Sequence, residues 1–189
     1  MINTYNDKPI TMKIVEVKDK TFSLYLSKEE IMAQVKRMAA EISQELADKK
    51  PLFLVVLNGS FIFAADLLRE LDFPCETTFI RLASYEGTSS TGNVKELLGL
   101  NNSIEGRTVV VVEDIIDSGI TMRELLKMLA QKNPADVRVA SLFVKPGNLQ
   151  VDLDIHYRCF NIENDFIVGY GLDYDQEGRN LPEIYKIVE

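Results

Sequence analysis

The stretch "VVVVEDIIDSGITM", Val109 to Met122, limits the fold more than any other part of the chain. Its valines form an unbroken β-branched run, the pattern of a strand buried on both faces in a parallel sheet. Two acids, Glu113 and Asp114, follow directly, and then a loop of Asp, Ser, Gly and Thr. The acids fall where such a strand is expected to end. The loop opens a helix read over "MRELLKMLAQK" (122–132).

Neighbouring segments repeat this alternation. Ser27-Lys28-Glu29-Glu30 has the form of a capping box. Ile31, Val35, Met38, Ile42 and Leu46 then recur at helical spacing, which predicts one amphipathic helix over 28–48. "PLFLVVL" (51–57) reads as a buried strand, Asn58-Gly59-Ser60 as its turn and "FIFAADLLREL" (61–71) as the next helix. "CETTFIRL" (75–82) and "VRVASLFV" (137–144) read as further strands. This order predicts an α/β fold: a mostly parallel, doubly wound sheet with helices on both faces. At 189 residues the chain suits a single domain spanning 1–189. From about residue 145 helical periodicity fades, and short strands and loops over 145–189 are expected to form a small hood. "ASYEGTSSTGNV" (83–94), rich in Gly, Ser and Thr and short of core residues, is expected to be a flexible lid.

Composition removes several classes of function. A net charge of −8 argues against a sequence-independent grip on nucleic acid. It also means that an anionic substrate needs local devices: backbone N–H groups, a helix N-terminus or a divalent metal. No apolar stretch approaches the roughly 18 residues of a membrane span, and the N-terminus lacks the apolar region of a secretory signal. No membrane partner is expected. Cys75 and Cys159 form no Cys-x-x-Cys pair and are expected to be buried, reduced thiols of a cytoplasmic protein. The lone His156 lies in an alternating segment and is expected to be structural, which removes a His-dependent triad or zinc cluster. The run from Asp173 to Gly178 imitates a calcium loop, but Ile184 stands where a bidentate Glu is required.

In open α/β sheets, ligands bind outside the carboxyl ends of the strands, near the switch point. Asp117-Ser118-Gly119-Ile120-Thr121 at a helix start offers exposed N–H groups and hydroxyls, an anion cradle. It is not a P-loop, since no Gly-x-x-x-x-Gly-Lys is present. Acids beside a phosphate cradle would repel phosphate unless they face hydroxyls or a metal. A phosphorylated ribose meets both demands. On these residues alone, a core strand with an acidic turn and an ordinary capped helix explains the stretch equally well.

The stretch resembles the signature of type I purine phosphoribosyltransferases: hydrophobic strand, two acids, then Asp-Ser-Gly-x-Thr. "LNGS" (57–60) with "FIFAADLL" is similar to the family's pyrophosphate-binding loop and helix. "RLASYEGTSSTGNVK" (81–95) is similar to its flexible catalytic loop. "SLFVKPG" (141–147) and "DFIVGYGLDYDQEGRNLPEIY" (165–185) resemble the base-binding lysine and hood of members acting on hypoxanthine and guanine. These motifs cover roughly residues 50–189 in the family's order.

The resemblance implies purine salvage: transfer of the 5-phosphoribosyl group from phosphoribosyl pyrophosphate to hypoxanthine or guanine, giving IMP or GMP, with Mg2+ as cofactor. It makes Asp117 the acid–base group at ring nitrogen N7, with Ser84 and Tyr85 closing over the reaction centre. Glu113 and Asp114 would hold the ribose hydroxyls, directly or through magnesium. Ser118, Gly119 and Thr121 would hold the 5′-phosphate, with Ile115, Ile116 and Ile120 shaping the loop. Leu57, Asn58, Gly59 and Arg179 would meet pyrophosphate. Lys145 would donate to the 6-oxo group, Phe166 would stack on the base, and backbone at Ile167 and Asp173 would read the exocyclic position. Asp173 would also help place a second magnesium. Asn58 departs from members with lysine there, beside a non-proline cis peptide; a strained Leu57–Asn58 peptide is still expected. Pyrophosphate would then lean on backbone N–H groups, metal and Arg179. The implied partners are phosphoribosyl pyrophosphate, 6-oxopurine bases and further copies in a homodimer or homotetramer, with no nucleic acid. The competing readings are a xanthine-preferring enzyme and an RNA-binding regulator that keeps the fold.

Overall fold

The computed structural model describes residues 13–83, 95–98, 100 and 103–188. The chain enters as an antiparallel hairpin, β1 (Ile14–Val17) and β2 (Lys20–Leu26), turning at Lys18 and Asp19. Helix α1 (Lys28–Leu46) follows. Ser27 Oγ accepts from the Glu30 N–H at 3.2 Å, and Glu30 Oε2 accepts from the Ser27 N–H at 2.8 Å, which closes the expected capping box. Ile31, Val35, Met38, Ile42 and Leu46 are all buried, on the one face that the spacing defines.

Next come β3 (Leu52–Leu57), α2 (Phe61–Glu70), β4 (Glu76–Ala83), β5 (Lys95–Leu98), β6 (Thr108–Ile116), α3 (Ile120–Ala130), β7 (Asp136–Val144) and β8 (Tyr157–Asn161). Six strands form one sheet in the order β5-β4-β3-β6-β7-β8, parallel except for β5, which runs antiparallel to β4. Alternation along each strand serves two cores. Phe53, Val55, Val110 and Val112 pack with residues of α1 and α2. Leu52, Leu54, Val56, Val109 and Val111 pack with residues of α3. Both faces are therefore apolar, which is why the valine run has no polar alternate. Each such side chain contributes roughly 1.5–3 kcal/mol by leaving water.

The hood differs from its expected composition. Its four-stranded antiparallel sheet has the order β1-β2-β10-β9, with β9 (Ile167–Val168) and β10 (Ile184–Ile187). Half of its strands thus come from the N-terminal hairpin, not from 145–189. Segment β8, expected in the hood, instead extends the parallel sheet beside β7. Its buried Tyr157 donates to Glu45 Oε2 of α1 at 2.7 Å, which anchors it there. Phe22 of β2 is fully buried with Val168 and Tyr185 in the hood's own small core.

Three local expectations also shift. Strand β6 does not stop at the acids but runs through them to Ile116, because β7 keeps pairing with it to Ile116↔Val144. Helix α3 starts at Ile120 rather than 122, directly after Gly119. The cysteines are free, as expected, but only half-buried; burial pushes the Cys159 thiol up to about 12. His156 is structural: its Nδ1 accepts from the Val139 N–H at 3.3 Å. The proposed lid, apart from Ala83, lies outside the described residues, and Ser84 and Tyr85 with it. Among the described residues no helix is long and apolar enough to cross a membrane.

Candidate active site

The connection from β3 through α2 leads to β4, and that from β6 through α3 leads to β7, on opposite sides of the sheet's centre. The crevice between the carboxyl ends of β3 and β6 is therefore the topological switch point. Pairing between these strands reaches Val55↔Val112, so Glu113 and Asp114 are the first and second residues beyond it. The Asp114 N–H donates to Glu113 Oε1 at 3.1 Å, and the Ile115 N–H to Asp114 Oδ1 at 2.7 Å. Burial, and then the adjoining Asp114 charge, push Glu113 well above the usual carboxylate range. Asp114 is raised as well, because burial outweighs its hydrogen bonds and the Arg179 charge. Two neighbouring carboxyls in such a place resist being ionised together.

That property fits a divalent cation, whose charge would offset both carboxylates. No group of three His, Cys, Asp or Glu side chains stands ready to cage a metal among the described residues. Magnesium matches such a site, since it is usually held by one or two carboxylates, water and substrate phosphates. Asp173, the third expected ligand, is instead paired through Oδ1 with Arg179 Nη2 at 2.7 Å.

The loop after β6 turns at Gly119, whose φ of 77° lies in the left-handed region that L side chains avoid. Gly119 offers no capping side chain, and the Ile120 N–H makes only a long bond to Ser118 Oγ at 3.4 Å, so the helix start has N–H groups to offer a ligand. A cavity of about 120 Å³ lies there, lined by Ser118, Gly119 and Thr121 and bordered by Glu113, Ile116 and Asp117. Its position suits an anion the size of phosphate. Ile120 is the first residue of α3 and is not among the lining residues.

Across the crevice, the Leu57–Asn58 peptide is cis. Asn58 is exposed. A Cβ on Gly59 would fall 1.4 Å from Asp114 Oδ2, so only glycine lets this loop touch the acid. A Cβ on Gly171 would fall 2.0 Å from the Gly59 carbonyl oxygen. Arg179 Nη1 donates to the Gly171 carbonyl at 2.8 Å. Arg179 thus stands behind the Leu57–Gly59 loop, but with both arms already on protein acceptors.

At the end of β7, Lys145 is only 8% exposed, unlike an ordinary solvated loop lysine. Its Nζ donates to Asp117 Oδ2 at 3.0 Å and to Asn164 Oδ1 at 3.3 Å. Asn148 Nδ2 donates to Asp117 Oδ1 at 2.9 Å. Burial alone would raise the Asp117 carboxyl, but the bonds from Asn148 and Lys145, with the Lys145 charge, hold it below its usual range. It is therefore ionised at neutral pH. Phe166 is 45% exposed and stands edge-on to Tyr174 at 5.8 Å and 85°, with Phe22 at 6.2 Å. Ile167 is buried in β9, opposite Lys186. Sequence reasoning missed Asn148 and Asn164. The turn-forming Pro146-Gly147-Asn148 was the available signal for the first.

Residues 23–175 match the phosphoribosyl transferase domain family. The chain belongs to that family. A hypoxanthine-guanine phosphoribosyltransferase of Streptococcus agalactiae serotype V is 43% identical over 159 residues, spanning 84% of this chain and 88% of its own. The hypoxanthine-guanine-xanthine phosphoribosyltransferase of Tritrichomonas foetus is 43% identical over 159 residues, spanning 84% and 87%. The solved structure of a hypoxanthine-guanine phosphoribosyltransferase from Bacillus anthracis, with HEPES in its active site, has a TM-score of 0.84. That protein is 38% identical, and the match covers 92% of this chain and 100% of the other. In this phosphoribosyl transferase the anion cradle and the acid pair share one continuous unit, β6 to α3.

Proposed function

We propose that the protein transfers the 5-phosphoribosyl group of phosphoribosyl pyrophosphate to hypoxanthine or guanine, forming IMP or GMP and releasing pyrophosphate. The observation that carries this is the 3.0 Å contact between Asp117 and the nearly buried Lys145, beside the phosphate cradle. An ionised carboxylate and an ammonium side by side match one edge of a 6-oxopurine, where the N7 proton adjoins the 6-oxo oxygen. Asp117 takes the N7 proton as N9 bonds to C1′ and the C1′–pyrophosphate bond breaks. Lys145 donates to the 6-oxo group. Adenine would set an amino group against the ammonium, donor facing donor, and leave a buried polar group unmatched.

Glu113 and Asp114 hold the ribose 2′ and 3′ hydroxyls. Ser118, Gly119 and Thr121 hold the 5′-phosphate, within a loop shaped by Ile116 and Ile120. Leu57, Asn58 and Gly59 receive pyrophosphate through backbone groups, joined by Arg179 once it exchanges a protein acceptor for the ligand. Phe166 stacks on the base, and backbone at Ile167 and Asp173 reads its exocyclic position. Glu113 and Asp114 would hold magnesium, and Asp173 would join a second ion once Arg179 releases it; the metal would supply positive charge against the leaving pyrophosphate. The exposed Phe61 at the start of α2 suits a dimer or tetramer contact, and two free thiols suit a reducing cytoplasm.

The names of the Streptococcus and Tritrichomonas relatives support this reading, and the second makes xanthine the first further base to try. The test is incubation with phosphoribosyl pyrophosphate, Mg2+ and each base, with products followed by mass spectrometry. IMP or GMP in equal amount to pyrophosphate is expected. No consumption of the sugar phosphate with any purine would overturn the assignment, and a salt-sensitive RNA shift beside it would favour the regulator.

A further inference from the structure

Lys145 and Asp117 are not a simple pair; two amides complete them. An ammonium has three N–H donors and no acceptor. Two donors of Lys145 are used, on Asp117 Oδ2 at 3.0 Å and Asn164 Oδ1 at 3.3 Å, which leaves one for a ligand. Asp117 is gripped on opposite oxygens, by Lys145 on Oδ2 and by Asn148 on Oδ1 at 2.9 Å. Its side chain is 50% exposed, so without the second grip the carboxylate could rotate about the lysine contact. Both oxygens keep lone pairs for an incoming proton.

The amides come from separate loops. Asn148 closes the turn Pro146–Asn148 after β7, its N–H donating to the Lys145 carbonyl at 3.0 Å. Asn164 stands between β8 and β9, two residues before Phe166. Asn164 is exposed and Asn148 half-buried, so neither side chain is part of a core.

We propose that Asn148 and Asn164 are positioning residues with separate duties in the reaction assigned above, on which this inference rests. Asn148 holds the Asp117 carboxylate toward the N7 proton. Asn164 holds the Lys145 ammonium so that its third N–H faces the 6-oxo group. Removing the first slows the chemical step; removing the second weakens recognition of the base.

The test is steady-state kinetics of the full-length protein with phosphoribosyl pyrophosphate, Mg2+ and hypoxanthine, alongside thermal melts. Loss of a bond to a charged group predicts that Asn148→Ala lowers kcat about tenfold with KM for both substrates little changed. Asn164→Ala is expected to raise KM for hypoxanthine about tenfold while kcat at saturation is kept. Asn164→Asp keeps an acceptor for Lys145 and is expected to restore the base KM. Asn148→Asp loses the donor and is expected to be no faster than the alanine variant. Wild-type kinetics in both alanine variants, or an equal loss in kcat and KM that tracks a falling Tm, would overturn the division. Wild-type turnover separates the two levels. Its absence overturns the reaction and this division together, whereas its presence with unchanged variants overturns the division alone.

Discussion

Asp117 already carries two hydrogen bonds before any ligand arrives, and they decide its protonation state. Burial works against its charge, and Asn148 and Lys145 reverse that effect. A carboxylate held low is ionised above its lowered pKa and loses its basic form only as pH falls through it. Removing the Lys145 charge leaves burial less opposed. The acid limb of kcat at saturating sugar phosphate is therefore expected to move to higher pH in Lys145→Ala, and a pH–rate profile of both proteins measures this. An unmoved limb would detach Lys145 from Asp117. Asp117→Asn keeps the size of the side chain but only one of its two acceptor oxygens, so it gives up one of the Lys145 and Asn148 contacts and cannot take the N7 proton. Its kcat is expected to fall by roughly 10²–10⁴-fold, the range of general acid–base catalysis, with affinity for phosphoribosyl pyrophosphate nearly unchanged. Collapse of that affinity with preserved turnover per bound substrate would make Asp117 a phosphate-loop residue instead.

Among elements, the β3 loop lies close against the acids of β6. Gly59→Ala would drive a methyl to 1.4 Å from Asp114 Oδ2, so the loop must withdraw. A displacement near 1 Å in a positioned site costs on the order of 10²-fold, and the loss is expected in kcat/KM for the sugar phosphate. Unchanged kinetics would mean that the loop does not meet that substrate. Elements with strong periodicity were legible from sequence: α1 by its apolar spacing and capping box, β3 and β6 by unbroken apolar runs. Their ends were less so. No residue between Val109 and Ile116 says that β6 outlasts β3, because that length depends on β7 pairing alongside. Membership of β8 in the main sheet was hidden for the same kind of reason, since it is set by pairing with β7 and supported by the Tyr157–Glu45 bond across 112 positions. Within the site, the motif residues were legible as a set. The hold on Asp117 and Lys145 by Asn148 and Asn164 was not, because single asparagines in loops carry no pattern.

At the scale of the molecule, the β1–β2 hairpin and the strands β9 and β10, far apart in sequence, join to form the hood. Strand β2 pairs with β10, the Tyr174 hydroxyl donates to Asp19 Oδ1 at 2.9 Å, and Lys13 and Lys18 pair with Glu183 and Asp175. Phe22 from the hairpin thereby backs Phe166, so the segment before α1 supports the surface assigned to the base. With a net charge of −8, an anionic substrate would have to rely on local groups, such as the helix start of α3, rather than on the overall field. The proposed reaction requires selection of a 6-oxopurine, and one comparison tests that selection most directly. It is kcat/KM for hypoxanthine, guanine, xanthine and adenine with phosphoribosyl pyrophosphate and Mg2+. A site that donates to the 6-oxo group is expected to prefer hypoxanthine or guanine over adenine by on the order of 10⁴-fold. Adenine used within about tenfold of the best oxopurine would contradict it, because unmatched buried donors impose a far larger penalty.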